Sequence, residues 1–137
     1  RADHGLDYLR AALSEREAFY AAVAAVINAS TGEARTHLLD RMVSEPALPG
    51  VFFDTVGASL PEWKGYYEIH LFLSLADKHG SASPTLVAQV TRLLDCPDFF
   101  IARRAFAFLK DQPALDGATA ARLKAFREDA ERKGRSL

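Results

Sequence analysis

The residues able to do chemistry are few and widely spaced. Glu33 and His37 stand four apart and therefore share one face of a helix, with Asp40 three residues further on. A metal would need a second ligand cluster facing this one. Glu68 and His70 are two apart and point to different faces of a helix, and Asp77 with His79 is the remaining pair. Neither the Glu-x-x-His of di-iron bundles nor His-Glu-x-x-His is present. No metal or cofactor is expected, and these groups read as exposed ion pairs. His79, in the last turn before Gly80, reads as a partly positive imidazole at a negative helix end. Cys96 is the one cysteine, which excludes an intrachain disulfide and any multi-cysteine metal site. It sits beside Pro97 ahead of a helix start, where a thiol pKa can fall, but no histidine adjoins it and a small buried apolar role fits better. With no Gly-x-Ser-x-Gly, P-loop or Gly-x-Gly-x-x-Gly, no catalytic residue is expected.

Two groups of residues suit binding. Trp63, Tyr66 and Tyr67 lie within two helical turns beside Lys64 and combine apolar bodies with polar handles, as partner-contacting residues do. Phe52 and Phe53 are expected to line the same groove. Basic residues collect late, with six positive against three negative side chains from Arg122 to Leu137, and Arg92, Arg103, Arg104 and Lys110 before them. Arg92, Arg122, Lys124 and Arg127, with Arg103 and Arg104, form a set that phosphates would approach. Only Phe126 interleaves with the late charge, which weakens a single-strand nucleic-acid reading.

The elements that position these residues are helical. The 137 residues are 49% hydrophobic and 26% charged with a net charge of -1, an ordinary globular balance that disfavours a strongly basic nucleic-acid binder. Three Ser-x-x-Glu boxes, Ser14–Glu17, Ser30–Glu33 and Ser59–Glu62, open apolar-periodic stretches. Pro61 and Pro84 fit first-turn positions, and Asp98 and Asp116 fit N-caps. These marks predict helices over 5–12, 15–29, 32–44, 49–58, 61–79, 84–95, 98–111 and 116–133. The breaks fall at 45–50 and 80–84, too short for a domain linker, so residues 1–137 form a single helical domain. Its longest apolar-rich run, 18–27, is half of what a membrane span requires. The Arg1 start, without a signal-peptide pattern, reads as a module or fragment of a longer protein, and the single cysteine fits a cytoplasmic location.

Helix pairs recur every 30–35 residues or so: 15–29 with 32–44, 49–58 with 61–79, and 84–95 with 98–111. The third pair has an apolar helix ending at Asp95, the turn Cys96-Pro97-Asp98, and a second helix carrying Ala102, Arg103, Ala107 and Leu109. This resembles a HEAT repeat. Ala34, Arg35 and Leu39 echo it, while Trp63, Lys64 and Gly65 depart from it, as does a second helix that is too long. The resemblance implies that Arg35 and Arg103 are structural, tied to Asp95 or Asp98. The expected fold is all-α, with antiparallel helix pairs stacked as a short HEAT-like α-solenoid or an irregular helical bundle, capped by 116–133. The expected function is a non-catalytic protein–protein interaction or scaffold module. Its binding face is formed by the second helices and carries Trp63, Lys64, Tyr66, Tyr67, Arg103 and Arg104. The alternatives are a small helical nucleic-acid-binding domain using the basic residues above, and a ligand-sensing domain with a pocket near Trp63, Tyr67 and His70.

Overall fold

The computed structural model describes residues 2–80 and 82–137, with side chains from Asp7 onward. Ser81, inside the second expected break, and Arg1 lie outside the described residues. Seven α-helices follow one another among the described residues, with no strand: α1 (Ala2–Ala29), α2 (Gly32–Met42), α3 (Gly50–Gly57), α4 (Tyr66–His79), α5 (Pro84–Arg92), α6 (Phe99–Lys110) and α7 (Gly117–Arg132). Short 3-10 turns at Leu60–Glu62 and Leu93–Asp95 precede α4 and extend α5.

The helices pack in two rows. In one, α1 lies on α3 and α3 on α5; in the other, α2 lies on α4 and α4 on α6. The rows meet where α1 touches α2 and α5 touches α6, and α7 packs on α6 at the end. The helices from α1 to α6 thus each pack on a helix two elements along the chain, which lets their short amphipathic stripes join one continuous core. Phe52, Phe53, Phe72, Phe108, Ile27, Leu39 and Leu86 are among its fully buried members. Phe53 touches Phe52 edge-on at 5.3 Å and Phe72 at 6.0 Å, which joins α3 to α4. Within the first row, Leu86 of α5 packs over Gly57 of α3: a Cβ at 57 would stand 2.8 Å from Leu86 Cδ1, so this side chain lies where residue 57 has none.

Three expected boundaries need correction, all at Ser-x-x-Glu boxes. Helices 5–12 and 15–29 are one helix, which runs straight through an exposed Ser14. Ala11, Ala12, Leu13, Glu15, Arg16 and Glu17 are strong helix formers, and the small propensity deficit of one serine does not interrupt them. Ser30 does not cap α2. Its hydroxyl donates back to the Val26 carbonyl at 2.8 Å, and Thr31 is the N-cap, without a side-chain cap bond. Ser59 opens only one 3-10 turn and makes no cap bond either. The helix expected over 61–79 begins at Tyr66, because Trp63 (ψ 141) and Gly65 (ψ 123) are extended. The caps with sequence support from Pro or Asp are present: Ser83 accepts from Leu86 N–H, Asp98 from Phe100 N–H and Asp116 from Thr119 N–H. Those amide bonds hold the Asp116 carboxyl below the usual carboxylate range.

Candidate functional site

Arg35 is the polar centre of the molecule. It rises from the first turn of α2 between the end of α1 and the start of α4, and its side chain is only 9% exposed. Its Nε donates to the Ile27 carbonyl at 3.1 Å, and its Nη2 donates to the carbonyls of Asn28, at 3.2 Å, and Ser30. These belong to the C-terminal end of α1, where helix carbonyls lack intrahelical partners and the helix dipole is negative. Nη1 faces Glu68, 8% exposed, at 3.3 and 3.4 Å to its two oxygens. Glu68 sits at the third position of α4 and accepts the Gly65 N–H at 3.3 Å, which helps start that helix. The guanidinium also lies over the Trp63 indole, 4.4 Å from the ring centroid. One side chain therefore ends α1, begins α4 and covers Trp63.

Trp63 is accordingly 4% exposed, held between the Arg35 guanidinium and an edge-on contact with Phe72, and not a free surface aromatic as expected. The extended backbone of 63–65 turns its ring inward. Its Nε1–H is buried without a partner among the described residues. An edge of the ring still borders a cleft of about 480 Å3 between α1, α2 and α4, with Lys64, Tyr67 and Glu68 among its walls. Trp63 and Tyr67, two of the residues expected around a pocket, line this cleft together, and His70 does not. Phe52 and Phe53 line no groove, since both are in the core. The partner expected for Arg35, Asp95 or Asp98, is corrected to Glu68. Asp95 instead pairs with Arg122, and Asp98 caps α6.

On the row made by α2, α4 and α6, the outer residues fall into two kinds. Tyr66, Tyr67 and Phe100 are exposed, Tyr67 by 58% and Phe100 by 60%. Arg103 is half-buried and lies over the Phe99 and Phe100 rings at 6.0 and 5.2 Å, without an ion-pair partner among the described residues. Arg104 is different: its side chain is 13% exposed, and it donates from Nε to His70 Nδ1 at 3.0 Å and lies 3.6 Å from Asp77. It is an internal tie between α4 and α6 and is not available to a partner. That bond requires Nδ1 of His70 to be unprotonated. Burial first, and the Arg104 charge second, hold the His70 pKa below the ordinary histidine value, while Tyr66 stacks on the ring at 5.8 Å. Burial also pushes the Asp77 carboxyl up, against the pull of Arg104.

His79 is a further correction. Burial lowers its pKa, with Lys78 adding to the effect, and its half-buried ring packs on Phe53 at 5.9 Å, so its surroundings disfavour the cation expected at the helix end. The basic residues expected to meet phosphates do not share one site, and the late group of Arg122, Arg132, Lys133 and Arg135 lines a cleft together with Asp95 and Asp129. Lys124 and Arg127 join Lys110 around a shallow depression of about 260 Å3, Arg122 is occupied by Asp95, and Arg92 borders a separate cleft with Lys64, Glu62 and Asp98. Asp129 pairs with both Arg132 and Lys133 at 3.0 Å each. Cys96 is half-buried and reduced. Among the described residues there is no group of three or more His, Cys, Asp or Glu placed to hold a metal, and no helix is long and apolar enough to cross a membrane.

The sequence reasoning missed Glu68 as the partner of Arg35 and Phe100 as an exposed aromatic. The signal for the first was present: Glu68 stands three residues after Gly65, the N-cap-to-third-turn-position spacing at a helix start. Nothing in one sequence marks Phe100 as outward and Phe99 as inward. Compared with protein-family models, with curated proteins and with solved structures, the chain matches none.

Proposed function

We propose that the chain is a protein-interaction module that binds its partner on the row formed by α2, α4 and α6. The carrying observation is the composition of that surface: Tyr66 and Tyr67 stand exposed on α4 and Phe100 on α6, where the Arg103 guanidinium lies over the Phe100 ring. Aromatic rings with an adjacent arginine are the residue types that carry most binding energy at protein interfaces, because they bury large area at little entropic cost. Lys64 stands exposed at the edge of the same row and adds charge to the rim. Helices stacked two elements apart present one row of helices to a ligand, as in a helical array of the HEAT-like kind we propose. The dispersal of Arg92, Arg122, Lys124 and Arg127 weighs against a phosphate-binding role, because neutralising a nucleic-acid backbone needs several cations along one track.

The test is a photo-crosslinkable amino acid placed at Tyr67 or at Phe100, with Lys124 as the control position. A discrete adduct from both aromatic positions, lost on adding Arg103→Ala, is the expected result. Equal labelling at all three positions would refute the reading.

A further inference from the structure

Arg122, Phe126, Asp129 and Lys133 follow one another along α7 at spacings of four, three and four, so they share one face of the helix. That face meets the 95–97 turn and the start of α6, where Arg122 pairs with Asp95 and the Phe126 ring stacks on Phe99 at 6.2 Å. A cleft of about 560 Å3 lies between them. Its far end is fixed by the way α7 stops. Gly134, at φ +67, turns the chain back, its N–H donates to the Glu131 carbonyl at 3.1 Å, and the Arg135 N–H donates to the Ala130 carbonyl at 2.8 Å. The residue after such a glycine is commonly apolar and packs on its own helix. Here it is Arg135, whose guanidinium lies on the Phe99 ring, 4.6 Å from the centroid.

The charges in this cleft do not balance. Arg122, Arg132, Lys133 and Arg135 line it against two carboxylates, Asp95 and Asp129. Asp95 pairs with Arg122, and Asp129 is shared between Arg132 and Lys133. Arg135 has no acidic partner among the described residues, and two positive charges are left over. Cations in the last turn of a helix answer its dipole, which accounts for Arg132 and Lys133. It does not account for Arg122, in the first half of α7, or for Arg135, beyond its end. Arg103, also over Phe99 at 6.0 Å and also without an ion-pair partner among the described residues, adds to the local field.

We infer that this cleft binds a phosphate monoester carried on a small apolar body. Such a group has about two negative charges near neutral pH, which matches the excess, and arginine forks meet its oxygens with paired N–H bonds. The half-buried rings of Phe99 and Phe126 offer the rest of the molecule an apolar wall. The volume falls within the roughly 300–1,000 Å3 of small-ligand sites. A single phosphate needs only this local excess and not the track of cations that a nucleic-acid backbone requires. Tyr66, Tyr67 and Phe100 do not line the cleft, so the inference stands apart from the proposed partner-binding row.

The experiment is an amide chemical-shift titration of the whole chain with phenyl phosphate at low ionic strength, where screening is weak. Saturable shifts confined to residues 95–99 and 122–135 are expected, with a dissociation constant of about 1 mM or below. Phenyl sulfate, with the same ring and one charge fewer, is expected to bind about fivefold more weakly. Arg135→Gln should weaken phenyl phosphate about tenfold, whereas Lys124→Gln, which removes the same charge from outside the cleft, should stay within about twofold of wild type. Arg135 is exposed, so its replacement leaves the core intact. Shifts that do not saturate by about 10 mM, or that saturate elsewhere, overturn the proposal. Equal affinity for the sulfate overturns the match to two charges, and equal losses in Arg135→Gln and Lys124→Gln reduce the effect to overall charge and overturn the site.

Discussion

Removing the Glu68 carboxylate should destabilise the protein by about 3–4 kcal/mol, and truncating Arg35 should cost more. A buried ion pair is a poor net stabiliser compared with apolar packing, but losing one partner leaves the other charge desolvated, at about 3–5 kcal/mol. Arg35 and Glu68 are each more than nine-tenths buried, so screening by solvent gives little relief. In Glu68→Ala the guanidinium keeps its bonds to Ile27, Asn28 and Ser30 and loses only the carboxylate. In Arg35→Ala those three carbonyls lose their donor as well, each worth about 1 kcal/mol, and the carboxylate is stranded. Arg35→Lys should recover little, since an ammonium cannot reach three carbonyls and a carboxylate in one plane. The assay is urea unfolding followed by fluorescence of the single tryptophan, Trp63, which sits directly under the guanidinium. With a slope of about 2 kcal/mol per molar urea, 3 kcal/mol moves the midpoint by roughly 1.5 M. The double variant should cost clearly less than the sum of the two single ones, because each already breaks the same bond. If Glu68→Ala lies within about 0.5 kcal/mol of wild type, or the two losses simply add, the account of this node is wrong.

Two further outcomes follow from the packing and the titrations. Gly57→Ala forces a Cβ to 2.8 Å from Leu86 Cδ1 in a filled core, so a loss of about 1–3 kcal/mol is expected in the same urea assay, and a neutral result would show that the Leu86 side chain swings aside without cost. His70 and His79 both have folded pKa values held below the unfolded value, chiefly by burial. Below about pH 6.5 the unfolded chain therefore takes up these protons first, and stability should fall as pH drops through that point and level off above it. His79→Gln should flatten the slope of midpoint against pH between about 5 and 7, whereas an unchanged slope would mean that His79 is charged in the folded state.

Some of this was legible in the residues alone. Leucine- and alanine-rich stretches with apolar positions three and four apart dictate helices, and the Pro84, Asp98 and Asp116 starts are local events that a few neighbouring residues decide. The Ser14, Ser30 and Ser59 boxes failed because a capping residue acts only where the chain already leaves the helix, and that exit is set by what the flanking segments pack against. The site was less legible than the fold. Tyr66, Tyr67 and Arg103 are on the surface as their types suggested, but Trp63 and Arg104 were drawn inward by partners about thirty positions away in sequence, Arg35 for the one and His70 for the other. Sequence therefore determined which segments coil and which stripe of each is apolar, since both depend on contacts within one turn or two. Only the tertiary structure decided which stripes are covered and which charges are spent on each other. Those outcomes depend on side chains meeting across elements, and along most of α1 the stripe that one sequence wrote continuously is covered at one end and bare at the other.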